Sequence, residues 1–153
     1  MAYYHKILQA DESVLAVGRL HWTIYGRALL LWLAAVLAVL ATRAVSESVA
    51  TALGYVAAGC AVLGLLVFLR AWLIRKTTEV VVTNRRIIFK RGVIARHTEE
   101  MNITKVETVD VDQSLWGRIL GYGTLVVRGT GGGWEPLRRL ASPLAVRNAI
   151  IAG

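Results

Sequence analysis

The sequence predicts an α+β membrane protein: a two-helix transmembrane hairpin near the N-terminus, then a mostly β module with a helical end. Three observations carry that prediction. Val49 to Leu69 runs through twenty-one residues without a charged side chain and then meets Arg70, Arg75 and Lys76. A second apolar stretch, Ala28 to Ala41, lies just upstream. After Lys76 the continuous apolar pattern breaks into short β-branched bursts separated by turn residues, the pattern of strands.

At about 1.5 Å per residue, the Val49–Leu69 run reaches roughly 30 Å, the hydrocarbon thickness of a bilayer. The upstream stretch is short alone. It becomes a full span when extended back through Trp22, Thr23, Ile24, Tyr25 and Gly26, with Arg27 snorkelling into the headgroups. The sequence therefore predicts helices at about 22–42 and 49–69, with Trp22, Tyr25 and Trp72 as interfacial anchors. A cleaved signal peptide fits less well, because its leading region would be unusually long and a second span follows at once. Arg43 to Ser48 is the whole connector, so the helices form a tight antiparallel hairpin with both termini on one side.

Charge sets which side. Arg19, Arg27, Arg70, Arg75 and Lys76 flank the open end of the hairpin, whereas its short loop carries Arg43 opposed by Glu47. The bias places both termini in the cytoplasm; the resemblance described below implies that the membrane is a bacterial inner (plasma) membrane. The organisation expected is an N-terminal arm at 1–20, the hairpin at 21–76 and a cytoplasmic module at 77–153.

Within that module, Thr78 to Val82 reads as a strand, Thr83-Asn84 as a turn and Arg86 to Lys90 as a second strand. Arg91-Gly92 then turns into a third strand at Val93 to Thr98, completing a meander. A fourth run, Ile103 to Val111, alternates except at Val106, which suggests a bulge. Ser114 is placed to cap a short helix over Leu115 to Leu120, stopped by Gly121. Tyr122 to Arg128 resumes strand character, Gly129 to Gly133 forms a hairpin loop, and Trp134 to Leu140 returns as an edge strand restricted by Pro136. Ser142-Pro143 opens a terminal helix through Val146 and Ile150.

The chain is 56% hydrophobic yet carries a net charge of +8. From Arg70 to Gly153 there are fourteen Lys and Arg against seven Asp and Glu, a sign suited to the anionic cytoplasmic leaflet. A short membrane tether makes lipid a nearer polyanion than nucleic acid, so no nucleic-acid partner is expected. Cys60 is single and sits inside the second span, which fits a small packing residue. His5, His21 and His97 lack the spacing of a metal site on one element. No metal and no cofactor are expected.

The string from Thr83 to Gly153 resembles a bacterial pleckstrin-homology-like (PH-like) family that is typically fused to membrane hairpins. The residues carrying the resemblance are Thr83-Asn84-Arg85-Arg86-Ile87-Ile88, Arg91-Gly92, Asn102-Ile103 to Val111, and Gln113-Ser114-Leu115 through Arg118-Ile119-Leu120-Gly121-Tyr122-Gly123-Thr124-Leu125. Asp11-Glu12-Ser13-Val14-Leu15 to His21-Trp22 is similar to the segment that precedes the hairpin in that family. The resemblance implies a PH-like split β-barrel of two packed antiparallel sheets, capped by a short C-terminal helix and displayed on the inner face of the plasma membrane. It implies no enzyme. Because the terminal helix is short here, closure of the barrel is expected to need the N-terminal arm, the membrane or a second subunit.

No constellation supports catalysis. Gly129 and Gly131-Gly132-Gly133 are followed by Trp134-Glu135-Pro136 rather than by the Lys-Ser/Thr of a phosphate loop. Glu99-Glu100 and Asp110 with Asp112 lack a nucleophile or histidine partner and read as a solvated sheet face. Arg75, Lys76, Arg85, Arg86, Lys90 and Arg91 form a candidate site for lipid headgroups or a partner, against the plainer reading that they enforce topology and solubility. Small residues at four-residue spacing, Ala34, Ala38 and Thr42 in one helix and Ala50, Gly54 and Ala58 in the other, suggest close helix packing. The expected function is a non-enzymatic membrane-anchored adaptor or scaffold that binds a protein partner, itself as a homo-oligomer, or anionic lipid. The competing expectation is an oligomeric subunit of a transporter or channel, which the charge-free spans disfavour.

Overall fold

The computed structural model describes residues 12–92, 97–130, 132–133 and 136–152. His5, most of the predicted Val93–Thr98 strand, Gly131 and Trp134-Glu135 lie outside the described residues. The chain divides into two compact units, Trp22–Leu73 and, separately, Met1–His21 with Ile74–Gly153. They are described here as the hairpin and the head.

In the hairpin, a 3-10 turn at Trp22–Tyr25 leads into α1, Gly26–Ala41, and a further turn at Thr42–Ala44 precedes α2, Glu47–Thr77. The α2 helix starts two residues earlier than predicted and continues well past Leu69, because basic residues oppose membrane insertion and not helix formation. Trp22–Ala44 and Glu47–Thr77 are both long and apolar enough to cross a membrane. Most of their bulky apolar side chains, such as Leu30, Leu33, Leu37, Val62 and Leu66, face outward.

The two helices meet through Ala35, Ala57 and Gly64. Gly64 makes room for Trp32: a Cβ there would lie 2.6 Å from the indole Nε1. That indole N–H points at the Ala61 carbonyl oxygen at 3.3 Å, and the ring sits against Phe68, which also stacks on Tyr25. Ala34, Gly54 and Ala58 are exposed, while Ala38, Thr42 and Ala50 are only half-buried. The bulky Trp32 sits over Gly64, and Gly54 and Ala58 line an open groove with Ala35, Val36 and Val39. Trp22 and Trp72 are exposed as interfacial anchors would be, whereas Tyr25 packs on Phe68.

The head contains β1 (Val14–Arg19), β2 (Glu79–Thr83), β3 (Arg86–Arg91), β4 (His97–Asn102), β5 (Val106–Asp112), α3 (Leu115–Leu120), β6 (Tyr122–Gly129), β7 (Gly132–Gly133), β8 (Leu137–Ala141) and α4 (Pro143–Ala152). One antiparallel sheet has the order β1-β2-β3-β4; in the other, β6 pairs with β5 on one side and with β7 and β8 on the other. The two sheets and α4 enclose a core of Val80, Val82, Ile87, Phe89, Leu125, Val127, Leu137, Leu140, Val146 and Ile150. Among the described residues, an isolated bridge between Leu20 and Leu140 joins the sheets at one corner.

The arm expected at 1–20 thus supplies β1, paired with β2 from Val14↔Thr83 to Arg19↔Glu79. At the end of that arm, Leu20 bridges to Leu140 of the second sheet. Within the described residues the third strand of the meander is His97–Asn102; it continues past the predicted end at Thr98, because pairing with β3 recruits the charged Glu99 and Glu100 into the ladder. The bulge expected at Val106 appears as a register shift between Val106 and Thr108.

Gly129 occupies a position that only glycine fits. A Cβ there would collide with the Lys105 carbonyl oxygen and lie 2.9 Å from Met101 Sδ. The carbonyl cannot easily yield, because it accepts a hydrogen bond from Thr130 N–H at 3.1 Å. Gly129→Ala is therefore expected to destabilise the head by about 1–3 kcal/mol, read as a lowered melting midpoint of the purified protein in detergent.

Candidate functional site

An antiparallel pair separates the residues beside its turn from those at its open end, and this divides the six predicted basic residues. Lys90 pairs with Glu79, at the start of β2, and Arg91 follows it; Arg75 and Lys76 lie in the last turn of α2, just upstream. Arg85 and Arg86 flank the β2–β3 turn, about 13 Å away along β2 at roughly 3.3 Å per residue. The structure brings four of the six to the end of the head from which the hairpin departs and leaves two at the opposite end.

At that far end, Arg86 is engaged in holding β1. Its Nε and Nη2 donate to Oε1 and Oε2 of Glu12 at 2.8 and 2.7 Å, and its Nη1 donates to Glu100 at 2.8 Å. The Glu12 side chain is only 1% exposed. Thr83 completes the latch: its hydroxyl lies 2.8 Å from Glu12 Oε1 and accepts from Arg86 N–H at 3.0 Å. Asn84 fastens the backbone, donating its N–H to Ser13 O and accepting from Ser13 N–H, each at 3.1 Å. The hydrogen bonds to Glu12 hold the Arg86 guanidinium above its ordinary pKa, with the charges of Glu100 and Glu12 acting the same way against burial. The Thr83–Arg86 string is thus a structural clasp for the N-terminal strand.

The other end is built from segments distant in sequence. His21, where the chain leaves the head, donates its N–H to the Arg139 carbonyl at 2.7 Å. Its ring stacks on Tyr122 with centroids 5.3 Å apart. Arg75, where the chain has returned, donates Nε–H to the Leu20 carbonyl at 3.1 Å. Beside them opens a cleft of about 470 Å³ lined by Gln113, Ser114, Tyr122, Thr124, Arg138 and Arg139, with Asp112 as its acid. Arg19 lies on the same end, paired with Glu79 at 3.2 Å.

Next to this cleft, α3 is capped by Ser114, whose hydroxyl accepts from Gly117 N–H at 3.1 Å, and is stopped by Gly121 at φ 75°. Its apolar residues do not enter the core. Leu115, Trp116 and Ile119 are 77%, 68% and 73% exposed. Arg138 and Arg139 lie outside the basic cluster expected from sequence, because their place beside Arg19 depends on the Leu20–Leu140 bridge. The adjacent pair Arg138-Arg139 was the only local hint.

His21 carries a titration consequence. Burial chiefly, and the Arg75 charge in addition, lower its pKa, while a backbone hydrogen bond at Leu120 opposes them. The unfolded chain then binds the proton first, so this contribution to stability is present above about pH 6.5 and is lost as pH falls through the lower folded value. The melting midpoint is expected to fall on acidification below about pH 6.5, and less steeply in His21→Gln.

No curated protein and no solved structure matches this chain. Residues 13–152 match a family described as the bacterial PH domain. The match starts one residue before β1 and ends with α4, so it takes in the head on both sides of the inserted hairpin. The chain is a member of the bacterial PH domain family.

Proposed function

We propose that the protein is a non-enzymatic adaptor of the cytoplasmic face of a bacterial inner membrane, anchored by its hairpin and offering its PH-like head to a protein partner, a second copy or anionic lipid. The observation that carries this reading is that both chain crossings between head and hairpin, at His21 and Ile74, occur at the end where Arg75, Lys76, Lys90, Arg91, Arg138 and Arg139 gather. Each basic residue near an anionic leaflet contributes about 1 kcal/mol. The outward-facing leucines and valines of α1 and α2 form an apolar surface far larger than water tolerates on a monomer, and the basic flanks favour cytoplasmic termini. On the head, the carboxylates of Glu12, Glu79, Glu100 and Asp110 are engaged with arginines, which argues for structural rather than acid-base roles.

The test is a pair of reporter fusions after Gly153, one active only in the cytoplasm and one only in the periplasm, together with extraction of membranes by high salt and by detergent. Cytoplasmic activity and release by detergent alone are expected. Periplasmic activity, or release by salt, would overturn the reading. A channel or transporter subunit would instead show conductance in planar bilayers. Its spans would be unusual in carrying no charged residue from Ala28 to Thr42 or from Val49 to Leu69.

A further inference from the structure

We infer that α3 is a membrane-inserting wedge: Leu115, Trp116 and Ile119 enter the acyl boundary of the cytoplasmic leaflet while Arg118, Arg138 and Arg139 engage its phosphates. This rests on the membrane-anchored reading above and adds a second, independent contact between head and bilayer.

The apolar side chains of α3 have no work inside the protein. In a soluble amphipathic helix the apolar face turns to the core, yet here Gly117 is the buried residue and Leu115, Trp116 and Ile119 project outward. Gly117 fixes that orientation, because a Cβ there would lie 2.6 Å from the Tyr122 carbonyl oxygen. The composition of the outward face, an indole between two aliphatic chains with an arginine beside them, is that of interfacial helices that lie in the headgroup region. Tryptophan favours that boundary because one end of the ring is apolar and the other carries a hydrogen-bond donor.

Position within the head selects lipid as the occupant. The C-terminal turn of α3 reaches His21 through the Leu120 backbone, and Tyr122, just beyond α3, stacks on the His21 ring. His21 is the last residue before the first apolar span, and Arg75 close by marks the return of the second. The first apolar span therefore begins at the residue after the one that α3 contacts. Charge agrees: the cleft at the N-terminal side of α3 presents Arg138 and Arg139 against the single acid Asp112. A protein partner on this face would have to share that space with the headgroups.

The experiment uses the full chain with Cys60→Ala as background and a single cysteine introduced in turn at Trp116, at Ile119, at Leu37 in α1 and at Lys105 on the far end of the head. Each variant carries an environment-sensitive fluorophore and is reconstituted into vesicles of phosphatidylcholine with phosphatidylglycerol. Labels at 116 and 119 are expected to be quenched by lipid-borne nitroxides at a depth of about 5–10 Å, to resist aqueous iodide and to lose part of that protection when Arg138→Glu and Arg139→Glu are combined. The label at 105 is expected to show the reverse quenching. If label 37 is quenched by lipid and label 116 is quenched only by iodide, the wedge is refuted and the anchor stands. If label 37 also escapes lipid quenching, the anchored reading fails and takes the wedge with it. Protection of 116 that persists in detergent and grows with protein concentration would assign the face to a second copy and overturn the lipid assignment.

Discussion

Arg86→Ala is expected to destabilise the head by about 3–5 kcal/mol, the range for removing one partner of a buried ion pair. The magnitude follows from Glu12, whose side chain is 1% exposed and would be left with a hydroxyl from Thr83 but no countercharge. Arg86→Lys should recover only part of the loss, because an ammonium cannot form the paired bonds at 2.8 and 2.7 Å that the guanidinium makes to the two carboxylate oxygens. Removing both charges in Glu12→Ala with Arg86→Ala should cost less than the two single changes added together, since the stranded carboxylate is then gone. Melting curves in detergent micelles measure all four proteins. Binding to anionic vesicles should be unchanged in every variant that remains folded, because this clasp lies at the opposite end of β1 and β2 from Arg19 and Glu79. A selective loss of vesicle binding in Arg86→Lys, with its melting curve intact, would return Arg86 to the headgroup site.

Leu140→Ala should cost about 2–5 kcal/mol, as large-to-small changes in a closed core do. Leu140 is 1% exposed and bridges to Leu20, so it both fills the core and holds the corner where the two sheets meet. Gly18 on β1 lies so close that a Cβ there would sit 3.0 Å from Leu140 Cδ1. The cavity left by the substitution therefore borders β1, and amide exchange should rise at Leu20 and His21 before it rises in β2 and β3. Leu140→Met, which keeps the volume, should cost under about 1.5 kcal/mol. Equal exchange throughout the head would show that the corner is no weaker than the sheets.

The elements legible in the sequence were those specified by local chemistry. Ser114 and Gly121 bound α3 because a hydroxyl cap and a left-handed glycine act within four residues of themselves. The valines and isoleucines of β2 and β3 and the turn between them are likewise adjacent in the chain. What escaped was set by distant partners. β1 becomes a strand through pairing sixty or more residues away, and Glu12 finds Arg86 across a comparable gap. The row of small residues at Ala34 and Ala38 was visible, but which face of α1 meets α2 depends on Trp32 settling over Gly64. The basic residues were countable from sequence. Their division between two ends of the head required the strand register.

The insertion of the hairpin between β1 and β2 imposes an order on biosynthesis. When β1 leaves the ribosome, its pairing partner Thr83 has not been made, and both apolar helices emerge first. In the membrane-anchored reading proposed above, the first sheet can close only after insertion of both helices has returned the polypeptide to the side where β1 waits. Insertion of only one of the two spans would leave β1 and β2 on opposite sides and strand Glu79–Thr83, with its three central valines, as a bare edge, a template for aggregation and a substrate for quality-control proteases.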